Sequence, residues 1–274
     1  ALRQRVSEGY GLGLPGVRRR FQDRTHEHTA ERKNHPGHRG EPGYRRRGGQ
    51  LFAAEGATVV LTARNEDNLK RITAEIGDAA SYLVADLAEV SEIDRVVASV
   101  VERHGRWTEP STTPPRASRR PMSGETPEAV FDHVTGLNFK AVYFAVAAQV
   151  RAMQATGGGA IVNCSSIGSL VANPFLPAYG AAKRAVNSLT ASAAVEYAAE
   201  GIRVNAVAPG MVLTEMVADW DKATPGIIDG YAATNPMGRP ARPEEIAEAA
   251  AWLLSDRSSY VTGVVLPVTG GSAI

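Results

Sequence analysis

The sequence of 274 residues predicts an α/β fold in which a parallel sheet is covered by helices on both faces. Two observations carry this. From Leu51 onward, short β-branched runs alternate with stretches whose apolar residues recur at helical spacing. The strand-like runs are continuously apolar, as strands buried on both faces are, with no apolar/polar alternation.

The elements follow in order. Leu51–Glu55 reads as the end of a helix, with Gly56 as its C-terminal glycine. Thr58–Thr62 (T-V-V-L-T) is a short strand, Glu66–Ile76 a helix, Ser81–Val84 a strand and Glu89–Arg103 a helix. Residues 107–120, W-T-E-P-S-T-T-P-P-R-A-S-R-R, interrupt the rhythm with proline and charge. A helical pattern returns from Pro127 to about Ala155, followed by the strand Ala160–Cys164 and an Ala-rich helix over Pro177–Ala199. Ile202–Val207 is a strand, Glu244–Leu254 a helix and Val264–Val268 the last strand. There is no internal repeat.

Composition narrows the class. The length suits one large α/β domain, and 43% hydrophobic with 22% charged residues is ordinary for a soluble enzyme. A lone cysteine, Cys164, excludes a disulfide framework and cysteine-rich metal sites. Four of the six histidines (His26, His28, His35, His38) lie in a polar arm, and no metal site is expected. No apolar run reaches membrane-spanning length and no signal-peptide core is visible, so a cytoplasmic protein without a membrane partner is expected. The net charge of +1 conceals an asymmetry: residues 1–50 carry twelve Lys/Arg against five Asp/Glu. Such an arm invites a nucleic-acid reading. With Tyr10, Phe21 and Tyr44 as its only aromatics and no helical charge stripe, no nucleic-acid partner is expected.

The chemistry concentrates between Gly158 and Lys183, G-G-A-I-V-N-C-S-S-I-G-S-L-V-A-N-P-F-L-P-A-Y-G-A-A-K. Tyr179 and Lys183 are four apart on a helix and share one face. Ser166 follows the apolar strand. A phenol beside an ammonium can exchange a proton near neutral pH, because the positive charge stabilises the phenolate. That is a carbonyl/alcohol redox site if the chain holds a nicotinamide. Taken alone, a Tyr–Lys pair at this spacing is more often surface chemistry; the serine after the strand and the later Pro209–Gly210 turn reverse that weighting.

Taken together, L-F-A-A-E-G-A-T-V-V-L-T-A-R, A-D-L, L-N-F-K-A-V-Y-F, the Ser–Tyr–Lys segment, V-N-A-V-A-P-G and Y-V-T-G-V-V-L-P-V-T-G-G make residues 51–274 resemble the classical short-chain dehydrogenases/reductases. The resemblance implies a Rossmann-like, doubly wound single domain over 50–274, after an arm at 1–49. It implies that Tyr179 is the general acid or base, and that Lys183 lowers the tyrosine pKa and holds the nicotinamide ribose. Ser166 would orient the substrate oxygen, with Ser165 the weaker candidate, and Asn138 would organise a water. Pro209, Gly210 and Val212 would pack on the nicotinamide, Thr214 would bond its carboxamide or phosphate side, and Asp86 and Leu87 would line the adenine pocket. Cofactor choice rests on Thr62–Ala63–Arg64, where an acid would select NAD. Arg64 can pair with a 2′-phosphate, which favours NADP over NAD. The family implies a dimer or tetramer, homotetramers included, through the helices at 127–155 and 177–199 and the last strand. It leaves the small-molecule carbonyl or alcohol substrate open among 3-oxoacyl carrier-protein, sugar or polyol, and steroid or small-ketone chemistry. Leu213–Asn235 would be a substrate lid, with Met216, Trp220, Ile227 and Ile228 as apolar wall.

Two family motifs are missing. The phosphate-binding turn T-G-x-x-x-G-x-G is absent, and Gly9–Gly13 follows no strand. The strand ending N-N-A-G, expected near 107–115, is absent too. Both are recoverable through the genetic code. One nucleotide forward from the His26/Glu27 junction permits M-S-T-R-L-N-G-K-T-I-L-V-T-G-A-S-R-G-I-G. One nucleotide backward over Trp107–Pro114 permits L-D-G-A-V-N-N-A. Residues 1–49 and about 107–120 are therefore expected to be frame-shifted text. The competing readings are a natural disordered arm and a cofactor-deficient relic of the family.

Overall fold

The computed structural model describes residues 44–104, 126–174 and 176–273, all within the compact unit 39–274. Helix α1, Tyr44–Ala54, leads into strand β1, Val59–Ala63. Gly56 closes the helix at a φ of 87°, which a side chain would disfavour. Helix α2, Glu66–Ile76, is capped by Asn65, whose side chain accepts from the Asn68 N–H at 2.8 Å. Strand β2, Ala80–Val84, and helix α3, Val90–His104, complete this half. These elements match the predicted ones to within a residue or so at the ends.

The predicted helix from Pro127 to about Ala155 is instead three pieces. Helix α4 covers Glu128–Thr135, a π-turn covers Gly136–Lys140, and helix α5 runs Ala141–Thr156. The π-turn buries Asn138, whose amide donates to the Val134 carbonyl at 2.9 Å. A π-bulge inside a helix commonly marks a functional position. Strand β3, Gly159–Cys164, then leads through a short 3₁₀ turn, Ile167–Ser169, to helix α6, Pro177–Tyr197. Strand β4 is Ile202–Pro209, helices α7 and α8 are Glu215–Ala223 and Ile227–Thr234, α9 is Pro243–Leu254, and β5 is Val265–Val268.

All pairings among these strands are parallel. β1 pairs with β2 in register Val59↔Ala80. β3, β4 and β5 form a second ladder in that order, with Gly159↔Ile202 and Ala206↔Val265. Among the described residues the two ladders are separate. Successive strand residues face opposite sides, so each buried strand feeds two cores. Ile161 and Val204 join α3, α5 and α6 on one face. Val162 and Val207 join Phe52, α9 and β5 on the other. The result is a Rossmann-like α/β fold, with the predicted doubly covered sheet visible in its parallel strands and two apolar layers. The segments read as frame-shifted, and Gly9–Gly13, lie outside the described residues, save for the start of α1.

Candidate active site

Strand β3 ends at Cys164, and the chain turns at Ser165 and Ser166 over the N-terminal end of α6. Ser166 is extended, and its Oγ accepts the Gly168 N–H at 3.1 Å. Pro177 opens α6, where a missing N–H costs nothing, and places Tyr179 in the first turn. The Ser166 side chain stands beside the Tyr179 phenol and acts to lower its pKa. Lys183, one turn on, is 1% exposed, and its Nζ donates to the Cys164 carbonyl at 2.8 Å and stands 5.7 Å from the Tyr179 ring centre. Asn138 is brought to the same helix by packing of the π-turn on α6. The structure thus gathers Ser166, Tyr179 and Lys183 at one end of β3, with the element carrying Asn138 beside them.

Burial pushes the Tyr179 phenol up to about 12. Ser166 pulls it down, and the nearby Cys164 pushes it up. The Lys183 ammonium, bonded to the Cys164 carbonyl at the end of β3, stands over the face of the same ring. At neutral pH the phenol is protonated, the form that donates a proton to a developing alkoxide.

The nucleotide-side residues sit at the ends of β1 and β2. Arg64 and Asp86 form an exposed ion pair of 3.5 Å, and the arginine side chain is 78% exposed. Such a surface pair is worth little, so the guanidinium is available to a phosphate. Asp86 also accepts the Ala88 N–H at 3.0 Å, while Leu87 packs against the larger core.

Pro209 ends β4, and the Gly210 N–H donates to the Val268 carbonyl at 3.0 Å. A Cβ on Gly210 would stand 2.6 Å from the Tyr231 hydroxyl and 3.2 Å from the Thr269 Cα, so close approach alone requires glycine. The Val212 side chain is 8% exposed and belongs to the smaller core, so this side chain packs inward rather than on an open cleft. Thr214 is the N-cap of α7 and accepts the Val217 N–H at 3.3 Å. The lid resolves into α7 and α8. Met216, Trp220, Ile227 and Ile228 are half-buried along them.

Residue-by-residue reading missed two networks. Asn187 lies four residues after Lys183 and bonds Ser165 and Ser169. Tyr231, on α8, accepts the Met211 N–H at 3.3 Å and donates toward the Thr269 carbonyl, tying the lid to the turn after Pro209. The step of four from Tyr179 to Lys183 to Asn187 was a usable helical signal for the first. Nothing local marks the second, because its partners are distant in sequence.

The geometry has parallels among known proteins. A protein-family model described as Enoyl-(Acyl carrier protein) reductase matches residues 47–273. The A-factor type gamma-butyrolactone 1'-reductase (1S-forming) of Streptomyces virginiae is 44% identical over 233 residues, spanning 82% of this chain and 89% of that protein. The 7alpha-hydroxysteroid dehydrogenase of Clostridium sardiniense is 35% identical, spanning 85% and 90%. Among solved structures, levodione reductase superposes with a TM-score of 0.79 at 30% identity, covering 84% of this chain and 93% of that one. ElxO with NADP bound superposes with a TM-score of 0.78 at 27% identity, covering 84% and 94%.

Proposed function

Because the chain belongs to the classical short-chain dehydrogenase/reductase family, we propose that it interconverts a ketone and a secondary alcohol using NADP, with Tyr179 moving the proton. Its relatives are dehydrogenases and reductases of alcohol and carbonyl groups, and the chain is an oxidoreductase of that kind. The observation that carries the proposal is the gathering of Ser166, Tyr179 and buried Lys183 at the end of β3, with the lysine bonded to the Cys164 carbonyl and 5.7 Å from the tyrosine ring centre. When bound, the cofactor supplies the hydride or takes it up. Arg64 would hold the 2′-phosphate, Pro209–Gly210 the nicotinamide side and Lys183 the ribose. Ser166 bonds the substrate oxygen and orients it toward Tyr179. Tyr179 then donates its proton to that oxygen as charge develops there, and Lys183 stabilises the phenolate left behind. No described helix is long and apolar enough to cross a membrane.

The substrate we propose is an apolar ketone on or beside a ring. Its support is the half-buried apolar face of α7–α8, together with relatives named for gamma-butyrolactone, hydroxysteroid, cyclohexanol and hydroxycyclohexanecarboxylate chemistry. A relative named galactitol 2-dehydrogenase sets the competing class. The test is NADPH oxidation at 340 nm against ring ketones and open-chain keto-sugars. Ring ketones are expected to turn over and Tyr179→Phe to lose about a hundredfold or more in kcat. Turnover retained in Tyr179→Phe, or confined to keto-sugars, removes the corresponding part of the reading.

The subunit arrangement proposed is a homo-oligomer in which a second copy covers the groove of about 420 Å³ between α5 and α6, lined by Phe139, Tyr143, Leu189 and Tyr197. Light scattering of the purified chain tests it; a monomer sinks it.

A second reading is favoured by the absence from the sequence of both T-G-x-x-x-G-x-G and N-N-A-G. Residues 1–49 and about 107–120 are then out-of-frame text, and the chain as written is a scaffold that keeps its proton-transfer site but holds NADP poorly. Saturable quenching in an NADPH fluorescence titration of the full chain counts against the scaffold. A gene with one clean frame encoding P-G-H-R-G-E-P-G at 36–43 counts against the frame shift.

A further inference from the structure

Ser166 is held from behind by a closed ring of hydrogen bonds that does not include its own hydroxyl. Ser165, 2% exposed, directs its Oγ to Asn187 Oδ1 at 2.5 Å, with Ser169 Oγ at 2.9 Å and the Lys183 carbonyl at 3.4 Å as its more distant neighbours. Asn187 Nδ2 donates to Ser169 Oγ at 2.9 Å. Ser169 Oγ in turn donates to the Ser166 carbonyl at 2.6 Å. The directions are mutually determined. Ser169 has one proton and gives it to a carbonyl, so Asn187 must present its NH₂ there and its oxygen to Ser165. Each end of the Ser165–Ser169 turn is therefore tied to α6, one helical turn beyond Lys183.

The contact leaves no slack. A Cβ on Gly180 would stand 3.1 Å from the Gly168 carbonyl oxygen, and one on Gly168 would stand 2.6 Å from Asn173 Nδ2. At Gly180 the turn's backbone meets the helix directly, and the polar ring adds directional bonds that fix the turn along α6. That position determines where the Ser166 hydroxyl stands relative to Tyr179, and misplacement of a reacting group by about 1 Å costs on the order of a hundredfold in rate.

We propose that Asn187 is a positioning residue: it clamps Ser165 and Ser169 onto the helix that carries Tyr179 and Lys183, and so places the Ser166 hydroxyl for proton transfer. The proposal rests on the oxidoreductase reading above. Its signature is that Asn187 acts only through Ser166.

The test compares the full chain with Asn187→Ala, Ser166→Ala and the double variant, using NADPH and a ring ketone. Asn187→Ala is expected to lose on the order of tenfold to a hundredfold in kcat, with KM and the NADPH Kd within about twofold of the parent. In the Ser166→Ala background the same substitution should change kcat by less than about twofold, because the effects are not additive within one unit. Unchanged kcat in Asn187→Ala, or an equal loss in both backgrounds, overturns the proposal. Ser169→Ala is the gentler variant and should reproduce the loss in part. The ring is also read without turnover, by urea midpoints of Asn187→Ala, Ser169→Ala and their combination. Non-additive shifts are expected, and additive ones overturn the clamp. A parent chain that turns over no ketone, while those urea shifts remain non-additive, refutes the oxidoreductase reading and leaves the clamp standing.

Discussion

The two ladders of this molecule differ in how they treat buried polar groups. Around β3, β4 and β5 several buried polar groups are paired within the strands and their flanking turns. Asn163 donates to Thr190 at 3.0 Å, Asn205 bonds the Val261 carbonyl and the Val264 N–H, and the Ser165 ring is closed. Arg203 donates to the Leu253, Leu254, Ser255 and Val261 carbonyls, holding the C-terminal end of α9. Around β1, β2 and α2 the picture reverses. Thr73 Oγ1 and Ser81 Oγ are buried without a hydrogen-bond partner. Both strands are mostly half-exposed there, whereas β4 is buried along most of its length. Gln149, on the α5 face that meets α3 and β3, is 0% exposed with neither amide atom paired. The orphaned polar atoms among the described residues thus lie on α2, β2 and α5, and none on β3, β4 or β5.

That contrast can be broken from either side. Arg203→Met removes several charge-assisted bonds to the end of α9 and should cost about 2–3 kcal/mol of stability, read as a urea midpoint. A loss below experimental error would show that the well-paired half does not depend on its pairing. Arg64→Asp acts on the nucleotide side, replacing the guanidinium with a carboxylate beside Asp86. The ratio of kcat/KM for NADP to that for NAD should fall by roughly tenfold or more. An unchanged ratio would remove Arg64 from cofactor choice. Gln149→Leu should raise stability by about 1–2 kcal/mol, because it replaces an unpaired buried amide with an apolar side chain of similar size. A loss of stability would show that the amide has a partner. Thr73→Val is the smallest change, a gain of about 0.5 kcal/mol from removing an orphan hydroxyl.

Much of this was legible in the residues. Helix α2 matches its predicted span because Asn65 caps it and Gly77, at a φ of 90°, stops it, and both signals are local. The pairing of Tyr179 with Lys183 was legible from a step of four on one helix. The break of 127–155 at the π-turn was not, since the apolar spacing runs through it and a single glycine, Gly136, does not by itself demand a break. It takes packing against α6 to bury that amide and turn it to the Val134 carbonyl. The inward aim of Val212 was equally hidden, because its bridge to Ala241 spans distant sequence.

By itself the sequence determined the period of each element, the order of strands and helices, and which residue types stand near one another along α6. Those properties depend on neighbours within a few positions. Tertiary structure decided where the Lys183 charge goes, which side of Ser166 is clamped, and how far burial raises the Tyr179 phenol. Each of these depends on atoms that β3, the 3₁₀ turn and α6 bring together from distant sequence, and on the loss of water around them, which no local pattern of residues encodes.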